Sequence, residues 1–181
     1  MAEKEKIFNN GFNGILGNTH SMVLTALLLA AALVLSIIEN MLPPLPIAVP
    51  GVKFGLSNIA VMYALFFLGY RKAYIIAVLK GLFAAVTRGV IAGVLSLFGG
   101  IISVTVMVLL LFIFRERISY LIVSVFGAIS HNIGQFIVII LIFEGMNMWA
   151  YFPILLISGL IAGIITSTLL KLILPAFKRL I

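Results

Sequence analysis

The chain has 181 residues, 64% hydrophobic and only 9% charged, with a mean hydropathy of +1.31 and a formal net charge of +7. Soluble domains run near about 45–50% apolar and about 25% charged, and even one of ~150 residues buries only about 70% of its surface, so composition excludes a soluble fold and leaves the bilayer to hide the apolar surface. The absence of cysteine excludes disulfides, thiolate metal sites and cysteine nucleophiles, and the twelve basic residues are spread singly among apolar segments rather than gathered on one face, which excludes a nucleic-acid footprint.

Residues 1–19 are polar and carry Lys4 and Lys6 beside Glu3 and Glu5, giving a short cytoplasmic N-terminal segment. The apolar stretch that follows is too long for a signal-peptide core and has no A-x-A site, so a retained first helix is expected. A span needs about 20 mainly apolar residues. Runs of that kind lie near 20–42, 54–70, 72–92, 94–114, 119–143 and 149–175, which predicts an all-α integral membrane protein whose single domain, residues 20–181, has six transmembrane helices. Placing the N-terminus inside puts nine of the twelve basic residues (Lys4, Lys6, Arg71, Lys72, Arg115, Arg117, Lys171, Lys178 and Arg179) on the cytoplasmic side of a prokaryotic inner membrane, with both termini cytoplasmic. The connection at 43–53 is rich in proline, which removes backbone donors and restricts the preceding residue, so an extended outer flap is expected there. No internal repeat is visible, which disfavours an inverted-repeat transporter.

The other three basic residues, Lys53, Lys80 and Arg88, fall in the outer loop or the outer part of the membrane, where charge is costly. Gly51-Val-Lys53-Phe-Gly55-Leu-Ser57-Asn58 leads into the second span, so backbone N–H groups and an ammonium converge there as an anion seat; the alternative is a tight turn with a snorkelling lysine. Lys80 sits about 12 Å into the third span at about 1.5 Å per residue, too deep to reach water, and should face a cavity or a partner such as Glu39. Arg88 lies about two turns further out, where snorkelling would suffice. In the fifth span His131 and Gln135 share a face at i, i+4 with Asn132 beside them, as ligand contacts or as interhelical glue.

Small residues at Ala26 and Ala30, Gly99 and Gly100, and Gly159 and Gly163 make close-approach faces, for packing within the chain or, at Ala26 and Ala30, for docking another membrane subunit. Two separated histidines make no metal site, and no cofactor is expected. There is no G-x4-G-K-[ST] loop for ATP hydrolysis and no acidic pair for general acid/base or Mg²⁺-diphosphate chemistry.

The Ala-x3-Ala first helix, Pro50-Gly-x-Lys-x-Gly-Leu-x-Asn58, Ser96-Leu-Phe-Gly-Gly-Ile-Ile-Ser103 and Gly127-Ala-Ile-Ser-His-Asn-Ile-Gly-Gln135 together resemble the Gx transporter family over residues 20–175. Its members are similar to the S components of energy-coupling factor (ECF) transporters and often carry the label heptaprenyl diphosphate synthase component I. The resemblance implies a substrate-specificity subunit that binds a small, vitamin-like molecule near its outer face. It further implies docking, through the small-residue face of the first helix, onto a transmembrane coupling subunit driven by two ATPase subunits. Ala26 and Ala30 match that face, although Ala31 and Ala32 shift the pattern. With Lys53, Lys80 and Arg88 for charge and Asn58, His131, Asn132 and Gln135 for polar recognition, the expected substrate is a small amphipathic anion, a flavin first among vitamin-like molecules. The synthase label conflicts with the composition, since prenyl diphosphate synthases hold Mg²⁺ through aspartate-rich motifs and this chain has no aspartate; no catalytic role is expected. A non-catalytic membrane anchor for prenyl or quinone biosynthesis and a dimeric secondary transporter using His131 or Glu39 as a proton site are the alternatives.

Overall fold

The computed structural model describes residues 18–41, 55–142 and 148–177. Among them the regular elements are all helical: α1 (Asn18–Met41), α2 (Asn58–Phe67), α3 (Tyr70–Arg88), α4 (Val90–Phe114), α5 (Tyr120–Ile142) and α6 (Phe152–Phe177), with 3₁₀ turns at Arg115–Arg117 and Met148–Tyr151. Helices are what a bilayer demands of an unclosed chain, because every backbone group must find its partner within the segment. Side-chain hydroxyls obey the same rule: Thr25, Thr87, Thr105 and Thr168 each donate to the carbonyl four residues back.

Four helices are long and apolar enough to cross a membrane, over Thr19–Met41, Val90–Phe114, Tyr120–Ile142 and Trp149–Leu174. The other two differ from the expected spans. The one expected at 54–70 contains a helix of only 10 residues, about 15 Å long against a hydrocarbon core of about 30 Å. Helix α3 has 19 residues, or about 28 Å, but Arg71, Lys72, Lys80 and Arg88 make it much the least apolar of the long helices. The boundary expected near 92–94 falls instead at Gly89. There φ is +93°, a conformation that side chains other than glycine's rarely adopt, and it ends α3 and begins α4 in one residue.

Short turns make sequence neighbours antiparallel neighbours. Helix α4 packs along α3 and α5, and α5 along α6; α2 lies among α1, α3 and α6, while α1 touches α2 and α3. Where α5 and α6 meet, Gly163 gives the close approach: a Cβ there would stand 2.5 Å from the Val125 Cα, so only glycine fits without moving backbone. Gly159 likewise faces the Ile129 backbone at 3.0 Å. The Gly159/Gly163 face is therefore internal packing.

Every residue of α2 from Ile59 to Phe66 is buried, packed with Leu24, Leu28 and Ala32 of α1, Ala73 and Ile76 of α3, Val104 and Met107 of α4, and Leu170 of α6. This core occupies the half of the bundle toward the end that bears Arg71, Arg115, Arg117 and Lys171. Because α2 is only about half as long as its neighbours, the described residues leave space in the other half of the depth. That half, between the last turns of α1, α3 and α5 and the first turns of α4 and α6, holds the cavity described next.

Candidate functional site

The cavity measures about 230 Å³ and all six helices contribute to its wall or to the turn that enters it. Helix α1 supplies Ser36 and Glu39, the approach to α2 supplies Gly55, Ser57 and Asn58, and α3 supplies Lys80 and Arg88. From the other side come Ala92, Leu95 and Ser96 of α4, His131, Asn132 and Gln135 of α5, with Ala128 beside them, and Ala162 of α6. Of the seven residues expected from the sequence to contact a substrate, six line this one space. The seventh, Lys53, lies outside the described residues, as do the expected flap at 43–53 and most of the N-terminal segment.

Lys80 faces the interior, only 4% exposed. Its ammonium donates to Asn58 Oδ1 at 2.6 Å and to Ser57 Oγ at 3.2 Å, so the turn entering α2 receives the charge that α3 carries into the bundle. Burying an ammonium without such acceptors would be prohibitive. Glu39, 7% exposed, lies on the same wall. Its carboxylate accepts the Gly55 N–H, so this N–H of the expected anion seat is already engaged, by the chain's own carboxylate. Arg88 does more than snorkel: one terminal nitrogen donates to Asn40 Oδ1 at 3.1 Å, tying the end of α3 to the end of α1. Its Nε is buried and has no hydrogen-bond partner among the described residues.

On α5 the polar residues divide their work. Asn132 donates to the Leu155 carbonyl at 2.8 Å and to Ser158 Oγ at 3.1 Å, fastening α5 to α6 while also lining the cavity, so its amide is interhelical glue. Gln135 is 7% exposed, and its Oε1 is buried with no hydrogen-bond partner among the described residues. Gly99 lets this face close on α4, since a Cβ there would stand 3.0 Å from both Gln135 Cγ and His131 Cε1.

Below the main cavity, a void of about 10 Å³ is lined by Asn58, Met62, Ser103, Met107, Ser124 and Thr166, among others. That is near the space of a single water. Ser103 and Ser124 spend their hydroxyls on the carbonyls of Gly127 and Gly163, at 2.7 and 2.8 Å, and so join α4 to α5 and α5 to α6.

Ser36, Ser57, Ser96 and Ser158 were not among the expected site residues. A serine in an apolar span is a weak signal, because its hydroxyl can bond its own helix; the signal that could have found Ser57 and Ser96 is their place inside the two motifs already singled out. Ala26 and Ala30 are exposed, on the side of α1 opposite the buried Leu24, Leu28 and Ala32. Among the described residues no group of three or more metal-ligating side chains occurs.

The lining joins two cations to one carboxylate, adds amides and hydroxyls, and closes with alanine and leucine, which suits an amphipathic molecule carrying negative charge. Membrane-length helices bundled around such a cavity define a multi-pass membrane protein with a polar internal chamber at one end. The family described as heptaprenyl diphosphate synthase component I matches over residues 28–173, and the chain belongs to it. No curated protein and no solved structure matches the chain.

Proposed function

We propose that the chain is the substrate-binding subunit of an ECF-type transporter, taking a small, vitamin-like anion from the outer face of a prokaryotic inner membrane. The observation that carries this reading is the cavity of about 230 Å³ in which Lys80 and Arg88 meet Asn58, His131, Asn132 and Gln135. Charges inside a membrane protein are expensive and mark substrate paths, and one net positive charge in a chamber with apolar walls suits an amphipathic anion. All six helices then belong to the bilayer domain. Helix α3 turns Lys80 and Arg88 toward the chamber, α2 is a half-depth element enclosed by the others, and both termini are cytoplasmic. A flavin is the ligand that the family resemblance puts first.

Moving that ligand needs an energy source, which partners supply: a transmembrane coupling subunit and two ATPase subunits, docked through the exposed Ala26/Ala30 face of α1. Affinity purification of the tagged chain in mild detergent tests this. Co-elution of a membrane coupling protein with two ATPases supports it; elution without them contradicts it.

The family description supports a second reading, a non-catalytic membrane subunit that anchors an enzyme of prenyl or quinone biosynthesis. The same purification separates the two, since this reading requires a soluble prenyl diphosphate synthase in the eluate.

A further inference from the structure

Two buried atoms in the cavity wall are orphans of opposite kind. Arg88 Nε is a charged donor with no acceptor, and Gln135 Oε1 is an acceptor with no donor, among the described residues. They stand on two helices that line the same cavity, α3 and α5, and Gln135 is more than nine-tenths buried. A buried polar atom left unpaired costs about 1–3 kcal/mol, and in native structures such atoms usually mark a missing partner. The missing partners here have definite character: an anionic acceptor for Arg88 and an N–H or O–H donor for Gln135. The charges give the count, since among the described lining residues Lys80 and Arg88 set against Glu39 sum to one net positive charge. Size supplies the last constraint. Pockets that enclose drug-sized ligands run about 300–1,000 Å³, and the space that the described residues bound, at about 230 Å³, is smaller. The body of the ligand meets Ala92, Leu95, Ala128 and Ala162, which are apolar and leave no polar demand.

From these constraints we infer that the cavity holds a compact monoanion, smaller than a flavin, with its anionic group at Arg88, an N–H or O–H donor at Gln135 and a short apolar body between them. The inference rests on the substrate-binding reading and narrows it.

The test uses the full chain in detergent and a matched probe set. N-acetylglycine and N-benzoylglycine carry one carboxylate, one amide N–H and a small apolar group. The methyl ester of N-benzoylglycine lacks the charge, N-benzoylsarcosine lacks the N–H, and riboflavin and flavin mononucleotide are larger. At millimolar probe, at least one of the two acylglycines should raise the melting temperature by about 3 °C or more, with the ester and the sarcosine derivative giving less than half of the effect. Arg88→Gln should erase the difference between acid and ester, and Gln135→Leu the difference between N-benzoylglycine and N-benzoylsarcosine. Equal protection by the ester overturns the charge assignment, and protection by the flavins alone overturns the size. Protection by none of the probes overturns the inference as a whole. Co-elution of the ATPases is scored separately, so the transporter reading stands or falls on its own result.

Discussion

Replacing Lys80 with methionine keeps length and apolar bulk while removing the ammonium that Asn58 and Ser57 accept. Two consequences follow, of different size and in different assays. In the empty protein the substitution leaves the part-buried Asn58 Oδ1 without its donor, at a cost of about 1 kcal/mol, the low end for an orphaned acceptor, which for a chain of this length lowers the melting temperature by roughly 2–4 °C. In the loaded protein it also takes one of the two cavity cations away from the anionic group held at Arg88; at an effective dielectric of about 20 and a separation of about 6–11 Å that attraction is worth about 1.5–3 kcal/mol, so affinity should fall about 10- to 150-fold. The double variant Lys80→Met/Asn58→Leu separates the two, because removing both members of the pair relieves the orphaned amide. Its melting temperature should recover toward wild type while its affinity for the best acylglycine probe stays low. Measured by thermal unfolding and by titration calorimetry on wild type, the single variant and the double variant, a stable Lys80→Met protein with unaltered affinity would remove Lys80 from the site. A loss of stability with unaltered affinity would leave it a scaffold residue.

Leucine at Ala26 or Ala30 should abolish co-elution of the coupling subunit while probe binding by the isolated chain survives, because both alanines are exposed on α1; simultaneous loss of binding would make the face internal packing. Gly163→Ala should lower the melting temperature by the equivalent of about 1–3 kcal/mol, since its Cβ meets backbone and not a movable side chain; an unchanged melting temperature would refute the close α5–α6 contact. Cysteine placed at Ser119 should resist an impermeant thiol reagent added outside intact cells, and one placed at Val90 should react; the reverse pattern would invert the topology.

The bundle was legible because the bilayer imposes a single solution on runs such as Val90–Phe114, whose length and composition leave nothing but a membrane-length helix. The second span differs from its expected length for a physical reason: residues 54–70 are apolar enough to cross, yet the helix there covers only the 10 residues Asn58–Phe67, set between turns at Gly55, φ +72°, and Gly69, φ +92°. Hydropathy averages over such breaks. Much of the cavity was legible for the converse reason, since a lysine deep in an apolar span has few places to go, and Lys80 pointed inward to where the amides of α2 and α5 gather; Arg88, for which snorkelling would have sufficed, lines the same space. What spacing could not reveal is which of those amides the scaffold consumes. Asn132 is spent on α6 and Asn58 on Lys80, whereas Gln135 keeps its acceptor free of any partner among the described residues.

The most direct test of the account is native mass spectrometry of the tagged chain extracted gently from its own membrane. The account predicts a complex of the chain with one coupling subunit and two ATPases, carrying a single small anionic molecule that is absent when Lys80 is methionine. A chain that emerges without ATPases and without a bound molecule, or in complex with a soluble prenyl diphosphate synthase, would contradict it.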